Sequence, residues 1–433
     1  MKKICLKFFS LMIALLVAVV LTGCSIKQGT KIEFAKLPAG VYTTESRSID
    51  LSKVAIKIND GAEMSLKDAQ ASSQYNITIT GDSWSTWGEY TLVVILDNAA
   101  ITFNYEVVQQ IVEVTYDTTW AGQGTEDDPW QIGSEEELKG LAAVVNGKAP
   151  KINDEAVADA SLEGKYIKLM NNIKLTPGWE PIGAGNRGKF SNYFSGNFDG
   201  NNKVISGLTN VGYNPVEVAG TYTSSTLQEI KDGYVYGLFC IIKNATIQNV
   251  VMGNVYTEDV SLVVENEVVK FTSDSIAAIV GYSPKGTNNT IENCHVLDDE
   301  INGYDAVAGI IGRSYGGLTI KDCSNAAKVT CNKSGYGKSG GIIGIVSLSS
   351  ATVSNCINSG NVTSKYTSLA GGIVGRVMNG CTFKENGNSN TGRIFAANSK
   401  GELTETSLFG MLHGKASSNG IENLENWGRT NEK

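Results

Sequence analysis

The side chains able to do chemistry in this 433-residue chain are few, and their spacing limits what they could do. Cysteines stand at 5, 24, 240, 294, 323, 331, 356 and 381, and the two histidines are His295 and His413. Structural zinc sites want Cys pairs two residues apart, and zinc peptidases want His-Glu-x-x-His on a helix. Neither pattern occurs. Cys294, Cys323 and Cys356 instead close three successive motifs, Ile291-Glu292-Asn293-Cys294, Ile320-Lys321-Asp322-Cys323 and Val353-Ser354-Asn355-Cys356. The same slot holds Val250 upstream and Leu424 downstream. A slot that takes Val, Leu and Cys alike is an interior one, where free cysteine acts as a small hydrophobe. A disulfide between stacked neighbours would fall within Cα range, although in-register Cβ atoms lie farther apart than a relaxed bridge prefers.

The acids and bases offer no more. Asp298-Asp299-Glu300 is the densest acidic run, yet the matching positions of the next repeats hold Ala327-Lys328 and Gly360-Asn361. No carboxylate ladder forms, and the run reads as a solvated turn rather than a calcium site. His295, beside Cys294, is expected to point outward, and a lone exposed histidine is weak evidence for a base. These residues imply no catalytic constellation, no metal and no cofactor, and the expectation is a chain that is not an enzyme.

What must position these side chains is a repeat. Gly237-Leu238-Phe239-Cys240, Ala278-Ile279-Val280-Gly281, Gly309-Ile310-Ile311-Gly312, Gly341-Ile342-Ile343-Gly344, Gly372-Ile373-Val374-Gly375 and Ser407-Leu408-Phe409-Gly410 follow one another at spacings of 41, 31, 32, 31 and 35 residues. Such a period means stacked supersecondary units. Each unit holds short runs rich in Ile, Val and Thr between Gly, Asn and Ser clusters such as Asn358-Ser359-Gly360-Asn361. Those runs are strands, too short for helices. About 31 residues in three strands and three turns make one rung of a parallel β-helix, with rungs roughly 4.8 Å apart. The glycines fit turns of positive φ, or corners where side chains would collide.

The repeated tetrapeptide resembles the GLUG motif of bacterial surface β-helices. Asp127-Asp128-Pro129-Trp130-Gln131-Ile132, Trp179-Glu180-Pro181-Ile182-Gly183 and Phe194-Ser195-Gly196-Asn197-Phe198-Asp199-Gly200 resemble the opening segments of those domains. The resemblance spans about 124 to 428 and implies a surface location. Domains of this kind occur in adhesins, in large surface proteins, and beside the catalytic part of immunoglobulin-A-specific zinc peptidases, whose His-Glu-x-x-His is missing here. Ser134 and Glu137 form a capping box, and Leu138, Leu141, Ala142 and Val145 make one apolar face. That predicts a helix over about 134–147, placed to cover the open first rung.

The N-terminus sets the address. Lys2 and Lys3 precede an apolar core from Phe8 to Val20, which is the pattern of a signal peptide over 1–23. Leu21-Thr22-Gly23-Cys24 resembles the lipobox of bacterial lipoproteins, which implies lipidation of Cys24 and anchorage on the extracytoplasmic side of a cytoplasmic or outer membrane. Losing Lys2, Lys3 and Lys7 would leave 33 basic against 44 acidic residues. Nucleic acid is excluded as a partner by that acidity. A tether over 24–35 leads to a segment at 36–116 whose alternating Lys53–Ile58 and Tyr75–Thr80 runs, with a hairpin at 88–107, suit a β-sandwich. Gly88-Glu89-Tyr90-Thr91 resembles a late strand of bacterial immunoglobulin-like modules. A linker at 117–129 joins this to the β-helix at 130–433. The fold class expected is all-β, a parallel β-helix solenoid with a short N-terminal capping helix behind a small immunoglobulin-like β-sandwich.

Function is sought where the repeat breaks. A detour from Gly212 to Val235 carries Tyr213, Tyr222 and Tyr234, with Tyr236 behind it, and Val263–Val269 reads as a hairpin turning at Asn266. Insertions in a solenoid map to its surface. Together they predict a tyrosine-lined recess for a glycan or a protein partner. The leading expectation is an adhesin-like lipoprotein, the alternatives a carbohydrate-active β-helix enzyme or a purely structural envelope component.

Overall fold

Small residues and asparagines, rather than long apolar runs, set the shape of this chain. The computed structural model describes residues 30–37, 41–43, 48–83, 88–97, 99–108, 115–184, 192–211, 213, 233–258, 260–264, 267–297, 299–413, 416, 420–421 and 424–430. The signal peptide, Cys24 and Tyr222 lie outside them. The chain forms two units, residues 1–112 and 113–433.

In the first unit, Ile32–Lys36, Ala55–Ile58 and Met64–Ser65 make one antiparallel sheet. Val41–Thr43, Ala99–Val108, Gly88–Leu96 and Ile77–Thr80 make a second. The hairpin of that sheet turns at Asp97, whose φ of +51° suits an acidic turn residue. Both sheets share a core with Ile56, Leu92 and Val94 fully buried. A helix, α1 (Leu66–Ala71), capped by Ser65, adds Leu66 and Ala69 to it.

The second unit is a parallel β-solenoid of about six turns. A full coil holds five short strands, not the expected three. In the coil beginning at Asn288 they are Asn288–Glu292, His295–Val296, Glu300–Gly303, Ala306–Ala308 and Ile311–Ser314. We call the five resulting sheets A to E in that order. They contain eight, seven, six, five and seven strands. Sheets D and E meet at the Gly-Ile-Ile-Gly segment, where Gly309-Ile310 alone separates two strands. The kink hides in sequence inside one apolar run.

Two asparagine ladders explain the repeat's remaining letters. Asn249, Asn293, Asp322 and Asn355 end successive strands of sheet A with φ between +50° and +55°. Asn and Asp tolerate this left-handed region better than other side chains. Inside the coil, the Asn325 amide donates to Asn358 Oδ1 at 2.9 Å, and Asn358 to Asn390 Oδ1 at 2.7 Å. The first glycine of the motif makes room for this second ladder. A Cβ on Gly309, Gly341 or Gly372 would lie 2.3 Å from the side chain of Asn325, Asn358 or Asn390. These glycines have ordinary φ, so crowding alone selects them. Where the Asn position holds Val296, the motif opens with Ala278.

The cysteine slot is interior, with Cys294, Cys323 and Cys356 buried and all six described cysteines free thiols. At the N-terminal end sits α2 (Glu135–Val145) with its Ser134/Glu137 capping box. Its Leu138, Leu141 and Val144 join the solenoid core. Residues 117–129, expected as a linker, belong to this cap instead. Trp120 is buried, the Asp117 amide donates to Glu136 O, and Ala121 bridges Gln131. Leu403–Thr406 turns back antiparallel on Ile394–Ala397 near the other end.

Candidate functional site

Three of the four tyrosines expected to line a recess are buried instead, and the fourth, Tyr222, lies outside the described residues. Tyr213, Tyr234 and Tyr236 are 3, 0 and 0 % exposed, and Tyr213 packs its ring 5.1 Å from Tyr236. The Tyr236 hydroxyl donates toward Thr209 O at 2.5 Å and lies 3.2 Å from Trp179 O. Burial pushes both the Tyr213 and the Tyr236 hydroxyl well above the ordinary phenol range. The physical reason is that the strand Tyr234–Tyr236 is covered on both faces. Its inner side joins the main core, and Val235 on the other packs in a second cluster with Cys240, Ile241 and Tyr282. The hairpin of the second insertion does form, Val260–Val264 with Glu267–Phe271, its turn outside the described residues.

The polar surface that the fold does build is the outer face of sheet A. Alternation along each strand buries Ile167, Phe198, Ile247, Ile291, Ile320, Val353 and Phe383 and turns their neighbours outward. Because the strands are parallel and in register, those neighbours form ladders. Thr246, Thr290, Thr319 and Thr352 stack in one, begun by Tyr166 and Asn197 and ended by Lys384. Lys168, Asp199, Gln248, Glu292 and Lys321 stack in the other. Lys321 donates to Glu292 at 2.9 Å across one rung.

At the N-terminal end of this face lies a concavity of about 450 Å³. Glu126, Asp127 and Pro129 wall it, and Tyr166, Lys168, Asn197, Asp199, Thr246 and Gln248 form its floor. Tyr166 leans on the wall, its hydroxyl 3.4 Å from Glu126 Oε2, which raises its pKa through the carboxylate's charge. Lys165 sits 5.4 Å from the Trp130 ring. The lining offers hydroxyl, amide, carboxylate and ammonium groups, the mixture that recognises a polyhydroxylated ligand. Among the described residues no three His, Cys, Asp or Glu side chains converge on a metal position.

Other expectations fall as follows. Glu300 of the acidic run starts a strand and pairs with Lys328 at 3.0 Å, which lowers its pKa, so the run is not merely a turn. His295 is not alone, since its ring contacts Ser324 and Asn293. The most exposed tyrosines of the described residues lie between sheets C and D. Tyr336 and Tyr366 are 61 and 58 % exposed, on loops of neighbouring rungs joined by the Thr367 hydroxyl donating to Gly337 O. Sequence reasoning missed them because neither loop lengthens the repeat.

No family model matches this chain, and no curated protein is similar to it. Among solved structures it is similar to a putative immunoglobulin A1 protease from Bacteroides ovatus. The identity is 16 %, over 72 % of this chain and 86 % of that one, with a TM-score of 0.45. It is also similar to a structure named IgA1 Protease, at 11 % identity, over 86 % of this chain and 28 % of that one, with a TM-score of 0.33. Both names are those of an enzyme, and on that finding the expectation of a non-enzymatic chain is withdrawn. Likeness at this level assigns no activity to the present chain.

Proposed function

We propose that this is a lipid-anchored protein of a bacterial envelope whose GLUG-type β-helix binds a glycan along the outer face of sheet A. The observation that carries the reading is the pair of polar ladders running from the concavity across successive rungs. A surface repeating one set of hydrogen-bonding groups at a fixed interval suits a ligand that also repeats, and extended solenoid surfaces suit large ligands. Lys168 and Asp199 stand side by side on the concavity floor and give it both signs of charge, so neutral or weakly charged sugars fit better than a polyanion. The N-terminal unit serves as a spacer from the lipid on Cys24.

The test is retention of the full chain on an immobilised polysaccharide panel, with Lys168→Ala/Asp199→Ala/Gln248→Ala as the variant. We expect at least about a tenfold loss of affinity, a few hydrogen bonds' worth. Undiminished binding by a folded triple variant would move the site off sheet A, and Tyr336→Ala/Tyr366→Ala would then show whether the exposed tyrosines hold the ligand.

A further inference from the structure

Immediately past sheet A, three polar side chains meet in an order that ligand retention does not need. His295 Nδ1 lies 2.8 Å from Ser324 Oγ, and His295 Nε2 lies 2.9 Å from Asn293 Oδ1. We propose that Ser324 is a nucleophile activated by His295, and that the chain hydrolyses esters carrying a small acyl group.

The proton positions follow from the ladder. Asn293 Nδ2 donates to Asn249 Oδ1 at 2.8 Å and lies 3.4 Å from Asn202 Oδ1. That contact turns the Asn293 carbonyl oxygen toward the imidazole. A carbonyl oxygen only accepts, so Nε2 carries the ring proton. Nδ1 of the neutral ring is then an acceptor, and the Ser324 hydroxyl is the donor that meets it. Nucleophile, base and orienting group thus stand within hydrogen-bond reach, in roles and not merely in proximity. Burial lowers the histidine pKa and keeps the ring neutral, as a base must be.

The backbone holds the three in place. Asn293 sits at φ +50° in the turn that leaves sheet A. His295 and Ser324 are Cα partners in sheet B, and the Ser324 amide donates to Cys294 O at 2.9 Å. Both side chains are half-buried, which leaves an approach from solvent. Glu292, Lys321 and Asp322, the ionised groups of the same two turns, engage one another, with Lys321 2.9 Å from Glu292 and 3.3 Å from Asp322. His295 and Ser324 stand half-buried outside the concavity of sheet A, and at such an open position the acyl group that fits is a small one.

In the reaction, Ser324 Oγ bonds to the acyl carbon while its proton passes to His295 Nδ1. The ester C–O bond breaks, and the leaving alkoxide takes that proton and departs as an alcohol. Water then adds to the acyl-serine with His295 Nδ1 accepting its proton, the acyl C–Oγ bond breaks, and Ser324 Oγ takes that proton back as the carboxylic acid leaves. Ester and water become alcohol and acid, with no change of oxidation state. Asn293 orients the ring without supplying a countercharge, so deacylation is slow and the acyl-serine accumulates.

The inference stands apart from glycan binding, and 4-nitrophenyl acetate tests it with the full chain. We expect a burst of about one nitrophenolate per chain, then slow turnover. The peptide containing Ser324 gains one acetyl group. Ser324→Ala removes burst and label, and His295→Gln slows acylation about a hundredfold or more. Asn293→Asp, which copies the native Asp322 of the next turn, moves the rising limb of the pH–rate profile to higher pH through its charge. A burst that survives in folded Ser324→Ala, or a label found only on lysines, would overturn the proposal. So would wild type showing no burst across the neutral range.

Discussion

Single residues show where chemistry can be read from sequence and where it cannot. The cysteine slot was legible because Val250 and Leu424 share it, and substitution by apolar residues across a repeat marks an interior position. The tyrosines were not, because burial of a ring depends on what lies over both faces of its strand. The Ser324–His295 contact joins residues 29 apart, and only the register of sheet B aligns them. Two consequences follow for the thiols. Cys323→Val should cost less than about 1.5 kcal/mol in urea unfolding, as a size-matched core change. Burial raises Cys331 to about 12 and pushes Cys323 up as well. The six buried thiols should therefore resist alkylation at neutral pH until the solenoid unfolds, and fast labelling of Cys323 in the native protein would contradict that burial.

At the scale of the element, sheets C, D and E enclose a charge cluster that no periodicity predicts. Arg313, 3 % exposed, bonds Asp274 at 2.9 Å and Asp305 at 3.3 Å. Lys333 adds a bond to Asp305 at 2.8 Å, and Lys338 also pairs with it. Burial alone would raise the Asp305 pKa, but Lys338, Arg313 and Lys333 outweigh it and hold the carboxyl below its ordinary value. Lys338 is shifted down as well, since burial and the charges of Arg313 and Lys333 outweigh its one carboxylate. Asp305 is thus the hub, and removing it strips the buried Lys338 of its carboxylate and leaves Arg313 with Asp274 alone. Asp305→Asn should cost about 3–5 kcal/mol at neutral pH. The sign with pH follows from the depressed folded pKa. The stabilisation is present above the unfolded aspartate value of about 3.9 and is lost as pH falls through the lower folded value. Wild type and variant should therefore converge in acid, which urea titrations at a series of pH values would show. A constant gap would mean that the loss is steric.

For the whole molecule, the period was enough to give the stacking, and the helix signature enough to give its cover. The five-sheet coil escaped because Gly309-Ile310 bends the chain without any polar break. The same view says what keeps one solenoid from adding to another. A parallel β-helix ends in rows of unpaired backbone groups around an open apolar interior, and repeat proteins fail when terminal units lose their caps. Here α2 lays Leu138 and Leu141, both fully buried, on the first coil. The 117–129 segment binds α2 so tightly that a Cβ on Gly140 would sit 1.9 Å from Asp117 O. At the other end Trp427 packs 5.2 Å from Phe383, and Leu403–Thr406 turns back on Ile394–Ala397. The cap should therefore govern association more than activity. Leu138→Asp/Leu141→Asp places two unpaired charges against the core and should lift α2 away. The exposed first rung then offers sheet A's edge strand, Trp130–Ile132, to other copies. Light scattering after size exclusion should show large, concentration-dependent assemblies, with the central rungs still protected from hydrogen exchange. A double variant that unfolds as a monomer instead would mean that the helix nucleates the coil rather than covering it.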